Sequence, residues 1–323
     1  MSNTIRASVA QTCTASYSLS DTLDKFEKIT KLAKERDGTQ LIVFPEAFIG
    51  GYPKMSTFGC VVGDRNAEGR NEFLRYHKSA IEIPSPAISR IEVVSKDTGV
   101  FVVIGIVERD AGTLYCTVIF VDPVQGLIGK HRKLMPTASE RLIWGFGNGT
   151  TLPVLEKTFP SSTKTEHTVT TKISATICWE NYMPLLRTYY YSLGTQIYCA
   201  PTVDHRPVWA NSMIHIALEG RCFVLSACQF ATEKDYPADH AVVDINNRNP
   251  DNVMINGGSM IVSPLGKVLA GPSRKPEDIL TAELDLDDVF RGKFDLDSVG
   301  HYARPDSTSL YWEHGPSLLL RNF

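Results

Sequence analysis

What this chain lacks narrows its class before any motif is read. Its seven cysteines, at positions 13, 60, 116, 178, 199, 222 and 228, are an odd number and include no C-x-x-C pair. That spacing argues against a structural zinc site and against a disulfide framework, and it points to reduced thiols. No apolar run approaches the ~20 residues needed to span a bilayer. A surplus of one charge sign is also missing: 33 Lys and Arg stand against 36 Asp and Glu, a net charge of −3. The densest basic cluster, His131-Arg132-Lys133, is too short to neutralise a phosphate backbone. Neither nucleic acid nor a membrane surface is therefore expected as a partner. The opening MSNTIRASVAQTC has no basic region followed by an apolar core, so a cytoplasmic protein is expected. There is no internal repeat and no low-complexity tract, and hence no clear domain boundary.

What is present reads as ordinary globular composition, 43% hydrophobic and 21% charged. Residues 5–11 alternate like a strand. Residues 21–36 carry Leu23, Phe26, Ile29 and Leu32 at helical spacing, with Ser20 or Asp21 as cap and Gly38 as stop. LIVF at 41–44 is a buried strand ended by Pro45. Further strands are expected at 101–109, 113–122, 127–134, 172–177, 196–200, 222–230 and 280–284, with a hairpin over 258–271. Helices are expected at about 182–193 and 208–221. Such a mixture of hairpins and helix–strand units predicts layered α/β with mixed sheets. The polar stretch 231–256 reads as a mobile surface loop and 160–168 as a shorter inserted one.

Four side chains can carry chemistry. Cys178, in ISATICWENYMPLLR, falls where a strand passes into a helix, and a thiol at a helix start is expected to ionise more readily. Most free cysteines are simply small buried hydrophobes. Glu46 follows the apolar strand in LIVFPEAF; apolar walls would raise its pKa toward a general acid–base role, while a first-turn glutamate is the ordinary alternative. Lys133, in GKHRKLMPT, can stabilise a negative intermediate or be a plain surface charge. Glu140 in PTASERLIW can pair with that lysine or serve only as a capping-box glutamate three residues after Thr137. Together they supply a thiol, a cation and proton-transfer carboxylates. A Cys–His pair is not indicated, His131 and His301 being the nearest histidines. Gly145-Phe146-Gly147-Asn148-Gly149 lacks the spacing of a dinucleotide fingerprint.

The segments FPEAFIGGYP, GKHRKLMPTASERLIWG and ICWENYMPLLR resemble the three catalytic motifs of the nitrilase superfamily, and most resemble its true nitrilase branch. TLYCTVIFVDP, IYCAPTVDHRPVW, ALEGRCFVLSACQ and DLDSVGHYARPD extend the likeness from about residue 5 to about 310. The resemblance implies one domain over residues 1–323, a four-layer α-β-β-α sandwich, with a short C-terminal extension from about 305. It implies no cofactor and no metal. It assigns Cys178 as nucleophile, Glu46 as general base, Lys133 as stabiliser of the charged intermediate and Glu140 as a positioning glutamate. Backbone N–H groups of Trp179 and Glu180 would face the intermediate. Tyr52, Thr202, Val203, Asp204 and Trp209 would join them in a pocket suited to aryl or arylaliphatic nitriles. The products would be a carboxylic acid and ammonia, by way of a thioimidate and an acyl-enzyme. Amidase or carbamoylase activity, cyanide hydration and a non-catalytic scaffold are the alternatives. Family members assemble as dimers and spirals, which makes the 182–193 helix an expected dimer surface.

Overall fold

The computed structural model describes residues 3–163, 166–240 and 249–307. In the first half the order is β1 (Thr4–Gln11), α1 (Leu19–Asp37), β2 (Leu41–Val43), a small hairpin of β3 (Cys60–Val61) and β4 (Asp64–Arg65), α2 (Ala67–Ser79), α3 (Pro86–Thr98), β5 (Phe101–Asp110), β6 (Thr113–Asp122) and β7 (Gly126–Arg132). The second half runs β8 (Leu155–Pro160), β9 (Thr168–Ala175), α4 (Pro184–Ser192), β10 (Ile197–Cys199), α5 (Val208–Gly220), β11 (Phe223–Ser226), β12 (Phe230–Thr232), β13 (Val253–Asn256), β14 (Met260–Val262), β15 (Val268–Ala270), β16 (Asp278–Asp285) and α6 (Asp287–Asp295).

Two six-stranded sheets result, in the orders β16-β1-β2-β5-β6-β7 and β15-β14-β11-β10-β9-β8. Each has a parallel centre, β1-β2-β5 in one and β9-β10-β11 in the other, flanked by antiparallel strands. Strand alternation explains the layering. Along β2, Leu41 and Val43 face the second sheet while Ile42 faces the helices. The inner core joins Val43, Val103 and Phe120 of the first sheet to Ile173, Ile197 and Leu225 of the second. Helices α1 and α3 cover the outer face of the first sheet through Phe26, Ile29, Ile88 and Ile91. Helices α4 and α5 cover the second through Tyr190, Tyr191, Trp209 and Met213. This is the four-layer α-β-β-α sandwich with mixed sheets.

The local signals hold with adjustments. Helix α1 starts two residues earlier than the periodicity indicates, because Ser18, not Ser20 or Asp21, accepts the Asp21 N–H. Gly38 ends it at φ 65° as expected. Helices α2 and α3 are not among the expected elements, although Ala87, Ile88, Ile91 and Val94 of α3 fall at helical spacing; polar caps at Asn66 and Ser85 start them. The stretch 222–230 is not one strand: β11 ends at Ser226 and β12 begins a separate two-stranded sheet. That correction also reaches 231–256, since β12 and β13 pair antiparallel across it, Phe230 opposite Asn256. Residues 241–248 lie outside the described residues. So do 164–165 of the 160–168 segment, whose other residues turn β8 into β9. The C-terminal extension is described only as far as Ser307.

Candidate active site

The three motif segments converge at the C-terminal ends of β2, β7 and β9. Glu46 lies just past β2, where the chain presses against β5. A side chain at Gly105 would place its Cβ 2.2 Å from the Pro45 carbonyl oxygen and 2.7 Å from Glu46 Cα. Only glycine permits that approach. The amide of Gln229 holds the Glu46 carbonyl at 2.7 Å. Lys133 is fixed in the same manner: Gly147 donates to its carbonyl at 2.8 Å, and a Cβ there would sit 2.1 Å from Arg132 O. Gly147 of the GFGNG run is thus a close-packing residue beside Lys133.

Lys133 Nζ donates to Glu46 Oε1 at 2.7 Å and to Glu140 Oε2 at 2.8 Å. Its side chain is 1% exposed. Burial alone would push this ammonium down, but Glu46, Cys178, Cys116 and Glu140 outweigh it and hold its pKa well above the ordinary lysine value. Glu46 is fully buried, and that burial raises its carboxyl pKa against the opposing pull of Lys133. Its Oε1 also accepts from Cys116 Sγ at 3.5 Å. Its Oε2 makes no hydrogen bond among the described residues, while the Cys178 thiol is close enough to favour the carboxylate's charge. Glu140 does two things at once. It accepts from Thr137 N at 2.6 Å, as a capping glutamate would, and from Tyr52 Oη at 2.8 Å. Trp144 packs edge-on against Tyr52 and lies 5.8 Å from Lys133 Nζ.

Cys178 opens a 3₁₀ turn, Cys178–Tyr182, with φ of 52°. The left-handed region is uncommon for a side-chain-bearing residue and marks the elbow as locally strained. The turn is held by Cys178 N donating to Pro201 O at 2.9 Å and by Asn181 Nδ2 donating to Cys178 O at 2.8 Å. One expectation fails here. The thiol's pKa is not lowered: burial, reinforced by Glu46, pushes it up, and neither Lys133 nor the Thr202 hydroxyl offsets this. A five-residue turn offers little dipole, and the desolvation of a fully buried sulfur dominates.

A cavity of about 240 Å³ opens onto Cys178, lined by Tyr52, Glu140, Trp179, Val203 and Asp204. Thr137, read only as a capping residue, also lines it, as do Lys54, His205 and Arg206, which were not proposed for the pocket. Trp179 Nε1 donates to Asp204 Oδ2 at 2.9 Å, and Arg206 pairs with Asp204 while lying over the Trp179 ring. Three expected pocket residues sit elsewhere. Trp209 faces the α4–α5 core and donates to Ser226 Oγ at 2.9 Å. Thr202 is buried beside the thiol rather than in the cavity wall. Glu180 turns its carboxylate away, onto His131, Leu134 and Ile177, and its N–H is already engaged by Ile177 O. Cys116, Trp144 and Gln229 contact the central residues without having been singled out. Among the described residues no cluster of His, Cys, Asp and Glu is arranged to hold a metal ion.

A buried thiol, a lysine clamped by two carboxylates and a four-layer sandwich define a class, and the comparisons agree. The family model for carbon-nitrogen hydrolases matches residues 6–293, and the chain belongs to that family. An arylacetonitrilase from Trametes versicolor (strain FP-101664) is 72% identical over 306 residues, covering 95% of this chain and 96% of its own. A bifunctional nitrilase/nitrile hydratase from Nicotiana tabacum is 52% identical, covering 95% and 85%. Among solved structures, a carbon-nitrogen hydrolase from Helicobacter pylori G27 superposes with a TM-score of 0.69 at 17% identity, covering 94% of this chain and 96% of its own. At that identity the likeness speaks for the fold.

Proposed function

We propose that this chain is a nitrilase that hydrolyses arylaliphatic nitriles to the carboxylic acid and ammonia. The observation that carries this reading is the Glu46–Lys133–Glu140 cluster against the buried Cys178 thiol. The chain's 72% identity to an arylacetonitrilase supports the substrate class.

The chemistry follows from where protons can go. The thiol keeps its proton until a base takes it, and Glu46, with a raised pKa and an open Oε2, is that base. Cys178 sulfur bonds to the nitrile carbon, and the nitrogen takes a proton, giving a thioimidate. Glu46 then removes a proton from water, whose oxygen adds to the same carbon. Breaking the carbon–nitrogen bond of the tetrahedral intermediate releases ammonia and leaves a thioester on Cys178. A second water releases the acid and restores the thiol. Lys133, kept charged by two carboxylates, stabilises negative charge at the reacting carbon's substituents. The Trp179 N–H is the backbone donor beside it. Trp179, Tyr52 and Val203 supply the apolar wall for an aryl group. Some release of amide is a second reading, favoured by relatives described as bifunctional nitrilase/nitrile hydratases.

We further read residues 1–323 as one carbon–nitrogen hydrolase domain that works in a reducing compartment such as the cytoplasm. Self-association, as a dimer and in larger spirals, would use the turn and helix after Cys178. The exposed apolar side chains of Tyr182, Met183 and Leu193 support that surface.

The test is direct. Purified protein is expected to release ammonia from phenylacetonitrile, and Cys178→Ala to abolish release while keeping the wild-type circular dichroism spectrum. Ammonia release at the wild-type rate by the alanine variant would sink the assignment.

A further inference from the structure

Glu180 and His131 form a buried hydrogen-bonded pair that the proposed chemistry does not use. Both side chains are 0% exposed. His131 Nε2 lies 3.0 Å from each Glu180 oxygen, and Nδ1 lies 3.3 Å from the Thr151 carbonyl oxygen. A carbonyl and a carboxylate both accept, an arrangement that suits an imidazole donating from both ring nitrogens. Burial alone would push the His131 pKa down, but the Glu180 carboxylate outweighs it and raises it, and the protonated imidazole makes the pair an ion pair.

The other bonds of this carboxylate set it apart. Oε1 accepts from the Leu134 N–H at 2.7 Å, and Oε2 accepts from the Ile177 N–H at 2.7 Å. Leu134 follows Lys133, and Ile177 precedes Cys178. One carboxylate thus grips the backbone neighbour of each reacting group, one at the end of β7 in the first sheet and one at the end of β9 in the second. A capping role for the 3₁₀ turn accounts for the Ile177 bond. It does not account for Leu134, which is 46 residues away.

We propose that Glu180, paired with His131, is a positioning residue that sets Lys133 against Cys178 and so keeps breakdown of the tetrahedral intermediate on the ammonia-releasing branch. This rests on the nitrilase reading above. The intermediate carries the Cys178 sulfur, a hydroxyl and an amino group on one carbon. When the carbon–nitrogen bond breaks, nitrogen takes a proton from the Glu46 carboxyl and leaves with the electron pair as ammonia, the hydroxyl proton passes to Glu46, and the thioester remains. When the carbon–sulfur bond breaks, the pair returns to sulfur, which recovers a proton from the Glu46 carboxyl, the hydroxyl proton passes to Glu46, and the amide departs. The first branch needs a proton delivered to nitrogen while sulfur stays in place. In the second, sulfur can leave as thiolate and take its proton afterwards. A looser register between Lys133 and Cys178 therefore penalises the first branch more.

The experiment quantifies acid and amide made from phenylacetonitrile. In Glu180→Gln an NH₂ group replaces one acceptor oxygen, so one of the two backbone N–H groups loses its partner. The amide-to-acid ratio is expected to rise about tenfold, with a fall in kcat larger than any change in KM. His131→Gln keeps a donor toward Glu180 but removes the counter-charge, and a smaller rise in the same direction is expected. A folded Glu180→Gln with the wild-type ratio would overturn the proposal. If that variant does not fold, the ratio in His131→Gln decides in its place. If neither folds, the pair is a folding element and the proposal falls. A wild-type protein that makes neither acid nor amide from any nitrile would overturn the nitrilase reading first, and this inference with it.

Discussion

The two sheets contribute to one site by different means. The first delivers charge: Glu46 and Lys133 stand at the ends of β2 and β7, buried and ion-paired, with backbones pressed against glycines. The second delivers a thiol that makes no ion pair itself, on a strained turn held by hydrogen bonds to Pro201 and Asn181 and by the Glu180–His131 pair. The contrast has a physical basis. A buried charge is tolerable only with a fixed partner, so its backbone must not drift. A buried thiol is cheap to desolvate while protonated, so what it needs is a proton acceptor within reach. One side of the site is thus built for electrostatic rigidity and the other for reactivity on demand.

The sharpest way to break this comparison is to remove the charge that joins the carboxylates. Lys133→Met leaves Glu46 and Glu140 facing each other without a cation. Losing one partner of a buried ion cluster costs roughly 3–5 kcal/mol, and losing the cation beside a developing charge costs about 10²–10³ in kcat. Both are expected together, seen as a lower urea midpoint and as nitrile turnover near background. Wild-type turnover in this variant would mean that the first sheet supplies no charge to the reaction.

A second, smaller effect tests rigidity without touching charge. At Gly105 an added Cβ meets Pro45 O at 2.2 Å, whereas at Gly112 it meets nothing within 4 Å. Gly105→Ala is expected to lower stability by about 2 kcal/mol or more, because backbone rather than a flexible side chain must yield. It should also lower kcat through displacement of Glu46. Gly112→Ala is expected to stay within about 0.5 kcal/mol of wild type. Equal unfolding midpoints for the two variants would show that the Glu46 segment has room to move.

These glycines also mark the limit of what was legible in the sequence. The apolar run 41–44 and the runs 101–109 and 113–122, split by the Asp110-Ala111-Gly112 turn, gave strands at the right places, since buried strands advertise themselves by β-branched residues and hairpins by their turns. Motif order made Glu46, Lys133, Glu140 and Cys178 candidates, and the fold brings all four together. Gly105 and Gly147 passed unread because close backbone approach is a tertiary fact with no local signature. Helices α2 and α3 passed unread although Ile88, Ile91 and Val94 repeat at helical spacing and Asn66 and Ser85 are good caps. The expected ease of ionisation at Cys178 failed for a related reason. Position along the chain indicates a helix start, but burial, which decides the pKa, belongs to the assembled sheets. Glu180 looked like a pocket residue by adjacency to the nucleophile, yet a 3₁₀ turn carries it away from the cavity.

The two tryptophans flanking the pocket segments give the smallest test, and it asks whether the cavity or the core owns each. Trp179 is 43% exposed and lines the cavity; Trp209 is 2% exposed and packs among Leu186, Tyr190 and Met213. Trp209→Phe removes one indole hydrogen bond to Ser226. The serine hydroxyl still donates to Ala200 O at 3.1 Å, so no buried donor is stranded. The expected cost is about 1–2 kcal/mol of stability from the lost bond and reduced volume. KM for phenylacetonitrile should be unchanged. Trp179→Ala should do the reverse, raising KM several-fold through lost apolar contact with little effect on the unfolding midpoint. A raised KM in Trp209→Phe would mean that the α5 core reaches the substrate, and the division between a rigid outer layer and a reactive turn would have to be redrawn there.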